Sequence, residues 1–216
     1  MRRMRLFSCL LPLLLLSCDE SAPEAGGAAS GDTEWTELAG DDWKTIVFGG
    51  EGLMRWQDGV LSLDAGVELT GARYEGENLP KLPYELELEA RKVAGSDFFC
   101  GLTFPVSSPD ECVTLIVGGW GGGTVGISSI DGLDASENET TTYGNFEQDR
   151  WYAIRVLVEE GRLQAFLDGE RIVEVATEGR RLGLRPGVIE SCAPLGVAAW
   201  QTASEIREIR WRSLAD

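Results

Sequence analysis

The sequence YELELEARKV, residues 84–93, decides the fold class, because apolar and charged residues alternate along its length. One side of the stretch carries the apolar set Tyr84, Leu86, Leu88 and Ala90. A period of two is typical of a β-strand with one buried face and one solvated face. We therefore predict a half-buried strand here, with Glu85, Glu87 and Glu89 on a solvated outer face.

Further short segments with strand patterns lie on both sides of this stretch. The pairs Asp58-Gly59 and Asp168-Gly169 separate neighbouring segments and are typical of tight hairpin turns. We predict strands over residues 43–48, 55–63, 67–72, 98–104, 112–117, 151–158, 163–167, 172–175, 195–200 and 205–211. Many short strands without a long helix predict an all-β fold, namely a jelly-roll sandwich of two antiparallel sheets.

The beginning of the chain differs in composition from the rest. Residues 1–18 read MRRMRLFSCLLPLLLLSC, in which three arginines precede a short apolar run, the pattern of a secretory signal. The ending Leu15-Leu16-Ser17-Cys18 resembles the bacterial lipobox, which implies a lipid-anchored, extracytoplasmic protein of the cell envelope with a lipidated Cys18. An ordinary cleaved signal peptide is the alternative. Residues 19–33 are small, polar and acidic and predict a disordered tether, and residues 34–216 form the folded domain.

Composition excludes several classes of function. The formal net charge of −17 disfavours nucleic acid and anionic lipid surfaces as partners, so membrane contact is expected through the lipid anchor only. A neutral sugar or a cation is a more natural partner, and solubility alone is the plain alternative. The chain contains no histidine, which excludes Ser-His-Asp and Cys-His catalysis and a histidine zinc site.

Three cysteines belong to the folded domain. If the hairpin after residue 98 is centred near Val106, Cys100 and Cys112 lie directly opposite each other, close enough for a disulfide. Export would permit oxidation, and two buried thiols are the alternative. Cys192 is left over and could compete for either partner.

The glycine-rich stretch 117–146, VGGWGGGTVGISSIDGLDASENETTTYGNF, is the predicted binding-site loop system. Glycine allows a ligand to approach the backbone closely, and a tryptophan among glycines offers a flat apolar face to a sugar ring. The candidate substrate-binding residues are Trp120, Ser128, Asn138 and Tyr143, although a core position for Trp120 is equally open. Asp97 and Glu111 bracket the preceding hairpin and are weaker candidates for the same cleft.

The acidic part of this stretch supplies the candidate catalytic carboxylates Asp131, Asp134, Glu137 and Glu139. One carboxylate could act as acid or base while another holds sugar hydroxyls. Oxygen ligands at this density also suit calcium, although the spacing does not match an EF-hand loop. A solvated loop without function is the third alternative. The basic residues Arg180, Arg181 and Arg185 are candidates to pair with this loop.

Three motifs resemble one protein family. They are Trp56-x-Asp58-Gly59-Val60-Leu61, Trp151-Tyr152-x-Ile154-x-Val156 leading to Leu167-Asp168-Gly169-Glu170, and Ile206-x-x-Ile209-x-Trp211. Over residues 35–214 the chain resembles the concanavalin A-like domain of the 3-keto-disaccharide hydrolase family, also described as 3-keto-glucoside lyase/hydratase domains. The resemblance implies a concanavalin A-like jelly roll and a carbohydrate ligand.

The same resemblance implies a chemistry, in which a 3-keto group acidifies the C2 proton of the sugar and the glycosidic bond then breaks by elimination or hydrolysis. Where many members read Asn-Ser-Gly-Ile before an arginine, this chain reads Gly-Ser-Asp-Phe-Phe-Cys-Gly over residues 95–101. No catalytic residue is therefore carried over from the family. The expected function is carbohydrate binding with cleavage of a (3-keto-)glycoside, and the alternative is a non-catalytic glycan- or protein-binding module stabilised by calcium.

Overall fold

The computed structural model describes residues 34–38 and 40–215. The predictions for the signal peptide, Cys18 and the tether concern residues 1–33 and lie outside the described residues. Within the described part, no helix is both long enough and apolar enough to span a membrane.

The described residues form two antiparallel sheets. In chain order the strands are β1 (Thr36–Glu37), β2 (Trp43–Thr45), β3 (Met54–Gln57), β4 (Val60–Leu63), β5 (Leu69–Tyr74), β6 (Tyr84–Gly95), β7 (Cys100–Pro105), β8 (Cys112–Gly118), β9 (Thr124–Ser128), β10 (Thr142–Tyr143), β11 (Trp151–Glu159), β12 (Arg162–Leu167), β13 (Glu170–Ala176), β14 (Gly196–Trp200) and β15 (Thr202–Ser213). Sheet A has the order β13-β12-β11-β6-β15-β4-β3, with β1 paired to β15, and sheet B has the order β10-β9-β8-β7-β14-β5-β2. A short 3-10 helix spans Val188–Cys192. The predicted all-β sandwich of two antiparallel sheets is confirmed.

The stretch that predicted the fold forms β6, which lies in the centre of sheet A between β11 and β15. Its apolar side chains are buried between the sheets, where Tyr84 donates a hydrogen bond to the carbonyl of Pro105 on sheet B at 2.5 Å. Both predicted Asp-Gly turns are present, and all four of their residues have a positive φ. Such turns match the twist of the strands that they join.

The outer face of sheet A carries a network of ion pairs across its central strands. Glu87 pairs with Arg210, and Glu89 pairs with Arg207, all four side chains being partly exposed. Glu85 differs from the prediction of a solvated face, because its side chain is only 4% exposed. Its two carboxylate oxygens accept hydrogen bonds from Arg155 at 2.7 Å and from Arg212 at 2.6 Å.

The predicted Cys100–Cys112 disulfide is wrong. Strand β8 pairs with β7 so that Cys100 lies opposite Val117 and Pro105 lies opposite Cys112. The two cysteines are therefore displaced by five ladder positions, about 16 Å along the strands, and point to opposite faces, whereas a disulfide needs Cα atoms within about 7 Å.

The hairpin turn itself explains this error. The chain reverses at Ser108-Pro109, and the amide of Val106 donates to the carbonyl of Glu111 at 2.8 Å. The centre is thus two to three residues later than the sequence suggested. All three cysteines of the described part are free and buried, as in the alternative prediction, and burial raises the pKa of the Cys100 and Cys192 thiols to about 12.

A second, smaller apolar cluster lies on the outer face of sheet B. Leu69, Ile116 and Ala198 point outward from three strands of this sheet, and Cys192 covers them from the 3-10 helix. Sheet B is therefore apolar on both faces. The part of its outer face that the 3-10 helix does not cover forms an open cleft.

Candidate functional site

The cleft on the outer face of sheet B has a volume of about 440 Å³. Its floor consists of outward-facing strand residues, Thr114 and Ile116 on β8 and Ser128 on β9. One wall is formed by the segment that leads into the 3-10 helix, from Arg185 to Ile189. The remaining wall residues come from the ends of β5 and β14, the β6–β7 connection, the turn after β8 and the loop after β9, so the walls are built mainly by connections on the face of the sheet.

Trp120 projects from the turn between β8 and β9. Its backbone is left-handed, with φ 49° and ψ 53°, and Gly118, Gly121 and Gly122 in the same turn also have positive φ. Asp97 fixes this turn, because its carboxylate accepts hydrogen bonds from the amides of Phe98 at 2.8 Å and Gly121 at 3.3 Å. The side chain of Trp120 lines the cleft and the residue is 43% exposed, so it does not occupy the core position that was the alternative.

Ser128 lies on the floor of the cleft. The residue is only 3% exposed, and it occupies the outward position of β9, since its neighbour Ile127 belongs to the inner core. Among the described residues, its hydroxyl has no hydrogen-bond partner. The hydroxyl itself keeps contact with the cleft, so it is available to a ligand or to water.

The acidic loop between β9 and β10 is pinned by arginines, as the sequence suggested. Arg180 bonds Asp131 through Nε at 2.7 Å and Glu139 through Nη1 at 2.5 Å. The backbone N–H of Arg181 and the guanidinium of Arg180 hold the pKa of Asp131 below its usual value, and Arg180 does the same to the pKa of Glu139. Groups held in this way are unsuited to deliver a proton near neutral pH.

Asp134 is the acidic-loop residue that reaches the cleft. Its side chain is 15% exposed and pairs with Arg185 at 2.8 Å, and both residues line the cleft. Asp131, Glu137 and Glu139 are exposed and do not line it. Of the four predicted catalytic carboxylates, the structure thus brings one to the cleft.

The two other predicted binding residues have different surroundings. Asn138 is buried and donates to the carbonyls of Ile127 at 2.8 Å and Asp134 at 2.9 Å, while its Oδ1 accepts from the amide of Thr140 at 2.9 Å. It therefore holds the acidic loop in shape. Tyr143 lies on the edge strand β10, is 76% exposed, and does not line the cleft.

Sequence reasoning missed several residues of the cleft. Asp97, which was a weaker candidate, does line it, whereas Glu111 bonds Ser107 within the hairpin turn. Glu68, Phe98 and Trp200 also line it and were not predicted. The sequence signal for a covered outer face was strand β8, CVTLIVG, in which Thr114 is the one polar residue. Such a nearly continuous apolar strand is typical of a sheet that is covered on both faces.

The described residues give no support for a calcium site in the acidic loop. Within residues 34–38 and 40–215, no group of three or more Asp, Glu or Cys side chains is arranged to hold a metal ion. Arginine side chains occupy the carboxylates of Asp131, Asp134 and Glu139, which were the expected oxygen ligands.

The chain was compared with known proteins. No family model matches it, and no curated protein matches it. Solved structures do match. They include the carbohydrate binding module CBM66 from Bacillus subtilis, with a TM-score of 0.50, 10% identity, and coverage of 80% of this chain and 96% of that chain. The chain has the fold of these sandwiches.

Two further solved structures are also similar to this chain. One is from work on prominent members of the human gut microbiota that express endo-acting O-glycanases to initiate mucin breakdown, with a TM-score of 0.51, 14% identity, and coverage of 83% and 96% of the two chains. The other is the Crh5 transglycosylase in complex with NAG, with a TM-score of 0.50, 11% identity, and coverage of 82% and 84%. At these identities the likeness establishes the two-sheet antiparallel sandwich and no more.

Proposed function

We propose that the domain binds a carbohydrate in the cleft on the outer face of sheet B. The observation that carries the proposal is the combination, in one cleft, of the partly exposed indole of Trp120 with the hydroxyl of Ser128, which has no hydrogen-bond partner among the described residues. A sugar presents both an apolar ring face and hydroxyl groups, and it needs an aromatic surface and hydrogen-bond partners at once. Similar sandwiches described as a carbohydrate binding module and as a transglycosylase in complex with NAG support this class of ligand.

The test is binding of a glycoside panel to the purified protein, measured by calorimetry and by the shift in melting temperature. A ligand that binds the native state raises the melting temperature. Trp120→Ala should weaken binding by at least about fivefold, since an aromatic contact contributes on the order of 1 kcal/mol. Trp35→Ala is the matched control, because Trp35 stacks on Arg210 and Arg212 on the other sheet.

The outcomes separate clearly. Loss of binding in Trp120→Ala with retention in Trp35→Ala supports the cleft. Equal affinity for the protein and Trp120→Ala, or the absence of binding to every glycoside, contradicts the proposal and turns attention to a protein partner.

Cleavage of a (3-keto-)glycoside is the second candidate function. The observation that favours it is that two carboxylates, Asp97 and Asp134, line the same cleft. Carboxylates supply the acid and base of most glycoside-cleaving sites, and this chain has no histidine to replace them. Asp134 would first have to exchange its bond with Arg185 for one to the substrate. The motifs that resemble the 3-keto-disaccharide hydrolase family support the same class of reaction.

Release of sugar from glycosides and from their 3-keto derivatives tests this candidate directly. Asp134→Asn should abolish release and leave binding measurable. Full release by both Asp134→Asn and Asp97→Asn would exclude these carboxylates as the acid and base.

We further propose that the domain is anchored on the extracytoplasmic side of the membrane through a lipidated Cys18, which the lipobox-like ending Leu15-Leu16-Ser17-Cys18 supports. Cys18→Ala should then move the protein from the membrane fraction to the soluble fraction. Retention of the variant in the membrane fraction, with the unmodified cysteine found by mass spectrometry of the wild type, would contradict the anchor.

A further inference from the structure

The charged groups of the cleft are predominantly acidic. Three carboxylates, those of Glu68, Asp97 and Asp134, line it together with one guanidinium, that of Arg185. Arg185 is already paired with Asp134 at 2.8 Å. Among the described residues, Glu68 and Asp97 have no ion-pair partner, so two uncompensated negative charges face the ligand.

The two carboxylates differ in their other contacts. The Asp97 carboxylate accepts two backbone amides and has lone pairs left for a further donor. Glu68 is exposed just before β5, and among the described residues its carboxylate accepts no hydrogen bond. The outer face of sheet A is different, because Glu85, Glu87 and Glu89 each bond an arginine there.

A second, independent observation supports a ligand site beside these charges. Ser128 lies at the floor of the same cleft, where the residue is only 3% exposed and its hydroxyl has no partner among the described residues, and the indole of Trp120 lines the wall. A tryptophan face attracts a cation as well as a sugar ring. The cleft therefore offers carboxylates and an aromatic face to positively charged groups, and a hydrogen-bonding hydroxyl to the hydroxyl groups of a sugar.

We infer that the preferred ligand is a glycan whose sugars carry a protonated amino group, such as a deacetylated amino sugar. This inference rests on the proposed carbohydrate binding and adds the substrate class. The ammonium donates to Glu68 and Asp97, and the sugar ring lies against Trp120. A uronic acid or a sulfated sugar is disfavoured, because it meets like charges in a protein whose net charge is −17.

The experiment uses four β-linked tetrasaccharides of equal length, made of N-acetylglucosamine, deacetylated glucosamine, glucose and glucuronate. Affinities for the full-length protein are measured by calorimetry at low and at physiological salt. We expect the glucosamine tetrasaccharide to bind at least about fivefold more tightly than the neutral ones at low salt, with a smaller advantage at higher salt as the charges are screened. The glucuronate tetrasaccharide should bind most weakly.

Charge variants locate the effect. Glu68→Gln should remove most of the preference for the amine, measured as the ratio of the affinities for the glucosamine and glucose tetrasaccharides. Arg185→Gln should act in the opposite direction and strengthen amine binding. Glu160→Gln is the matched control, because Glu160 is exposed in the β11–β12 hairpin of sheet A and lines no part of the cleft.

Three results would overturn the inference. The first is equal or weaker binding of the glucosamine tetrasaccharide relative to the glucose one. The second is an equal loss of preference in Glu68→Gln and Glu160→Gln, which would assign the effect to the overall charge of the protein. The third is no binding of any tetrasaccharide. In that case the neutral glucose and N-acetylglucosamine tetrasaccharides also fail to bind, which shows that the proposed carbohydrate binding itself is wrong.

Discussion

The carboxylate of Glu85 provides the sharpest test of the fold, because it is buried and held by two arginines. One oxygen accepts from Arg155 at 2.7 Å, the other accepts from Arg212 at 2.6 Å, and the side chain is 4% exposed. The perturbation is the double substitution Arg155→Met with Arg212→Met, which keeps the aliphatic stems and removes both guanidinium groups.

The expected loss can be worked out from these contacts. Leaving a buried charge without a partner costs about 3–5 kcal/mol. Arg155 also lies 4.0 Å from the ring centre of Phe166, and Arg212 lies 4.6 Å from that of Trp35, and each contact contributes about 0.5–1 kcal/mol. We therefore expect the double variant to lose about 4–7 kcal/mol of unfolding free energy.

The assay is urea denaturation followed by tryptophan fluorescence, with two further variants for comparison. Adding Glu85→Gln to the double variant removes the buried, unpaired negative charge and should restore about half of the lost unfolding free energy. Arg210→Met is the control, since its partner Glu87 is 26% exposed and the change should cost less than about 2 kcal/mol. The reasoning is refuted if the double variant loses no more than Arg210→Met, or if Glu85→Gln restores nothing.

Three further changes test other parts of the structure. The backbone amide of Glu51 itself, followed by the amides of the three preceding residues that bond one carboxylate oxygen, lowers the pKa of the Glu51 carboxyl to about 2. Its contribution to stability is therefore present above about pH 4.5 and disappears toward pH 2, so Glu51→Gln should narrow the difference in unfolding free energy between pH 7 and pH 2. The hydroxyl of Ser204 is buried without a partner, so Ser204→Ala should leave stability unchanged or raise it by up to about 2 kcal/mol in urea melts. A methyl group at Gly126 would meet the carbonyl of Ala135 at 2.7 Å, so Gly126→Ala should displace the acidic loop, cost about 1–3 kcal/mol and weaken ligand binding in the cleft.

Each of these predictions has a control variant or a result that would contradict it. An unchanged pH dependence in Glu51→Gln would show that its three amide bonds do not matter for acid stability. Thr114→Val should lose about 1 kcal/mol, because its hydroxyl does bond Thr103, and a larger loss in Ser204→Ala would reverse the argument. Gly183→Ala should be neutral, since its methyl would meet no atom within 4 Å, and equal losses at both glycines would deny the close approach at Gly126.

Much of the fold could be predicted from the sequence, because its signals are local. Alternation over residues 84–93 depends only on neighbouring side chains, and the Asp-Gly turns depend only on backbone conformation. Strand β9, Thr124–Ser128, was not among the predicted strands, because its alternating pattern is short and lies within a glycine-rich stretch that was interpreted as loop. The β7–β8 register was wrong because a turn that contains Pro109 can be centred at several positions, and each choice changes which residues face each other.

The candidate site was less predictable, because its residues meet only after folding. The acidic loop is dense in carboxylates, yet those of Asp131 and Glu139 bond Arg180, which lies 49 and 41 positions later in the chain, and they stabilise the loop. Glu68 reaches the cleft from just before β5 and Trp200 from the end of β14, and neither has a local sequence pattern that predicts a ligand site. Trp120 and Ser128, both candidates from the glycine-rich stretch, do line the cleft, and Trp120 is partly exposed there.

The lateral edges of the two sheets have a consequence for behaviour at high local concentration. Sheet B ends in very short strands, Thr142–Tyr143 on one side and Trp43–Thr45 on the other, and the edge strand β13 of sheet A carries Glu170, Arg171 and Glu174. Short or charged edges offer a poor template to a second chain, so strand-to-strand association is discouraged. Together with the repulsion expected from a net charge of −17, these edges should keep many copies at high local concentration from forming fibrils.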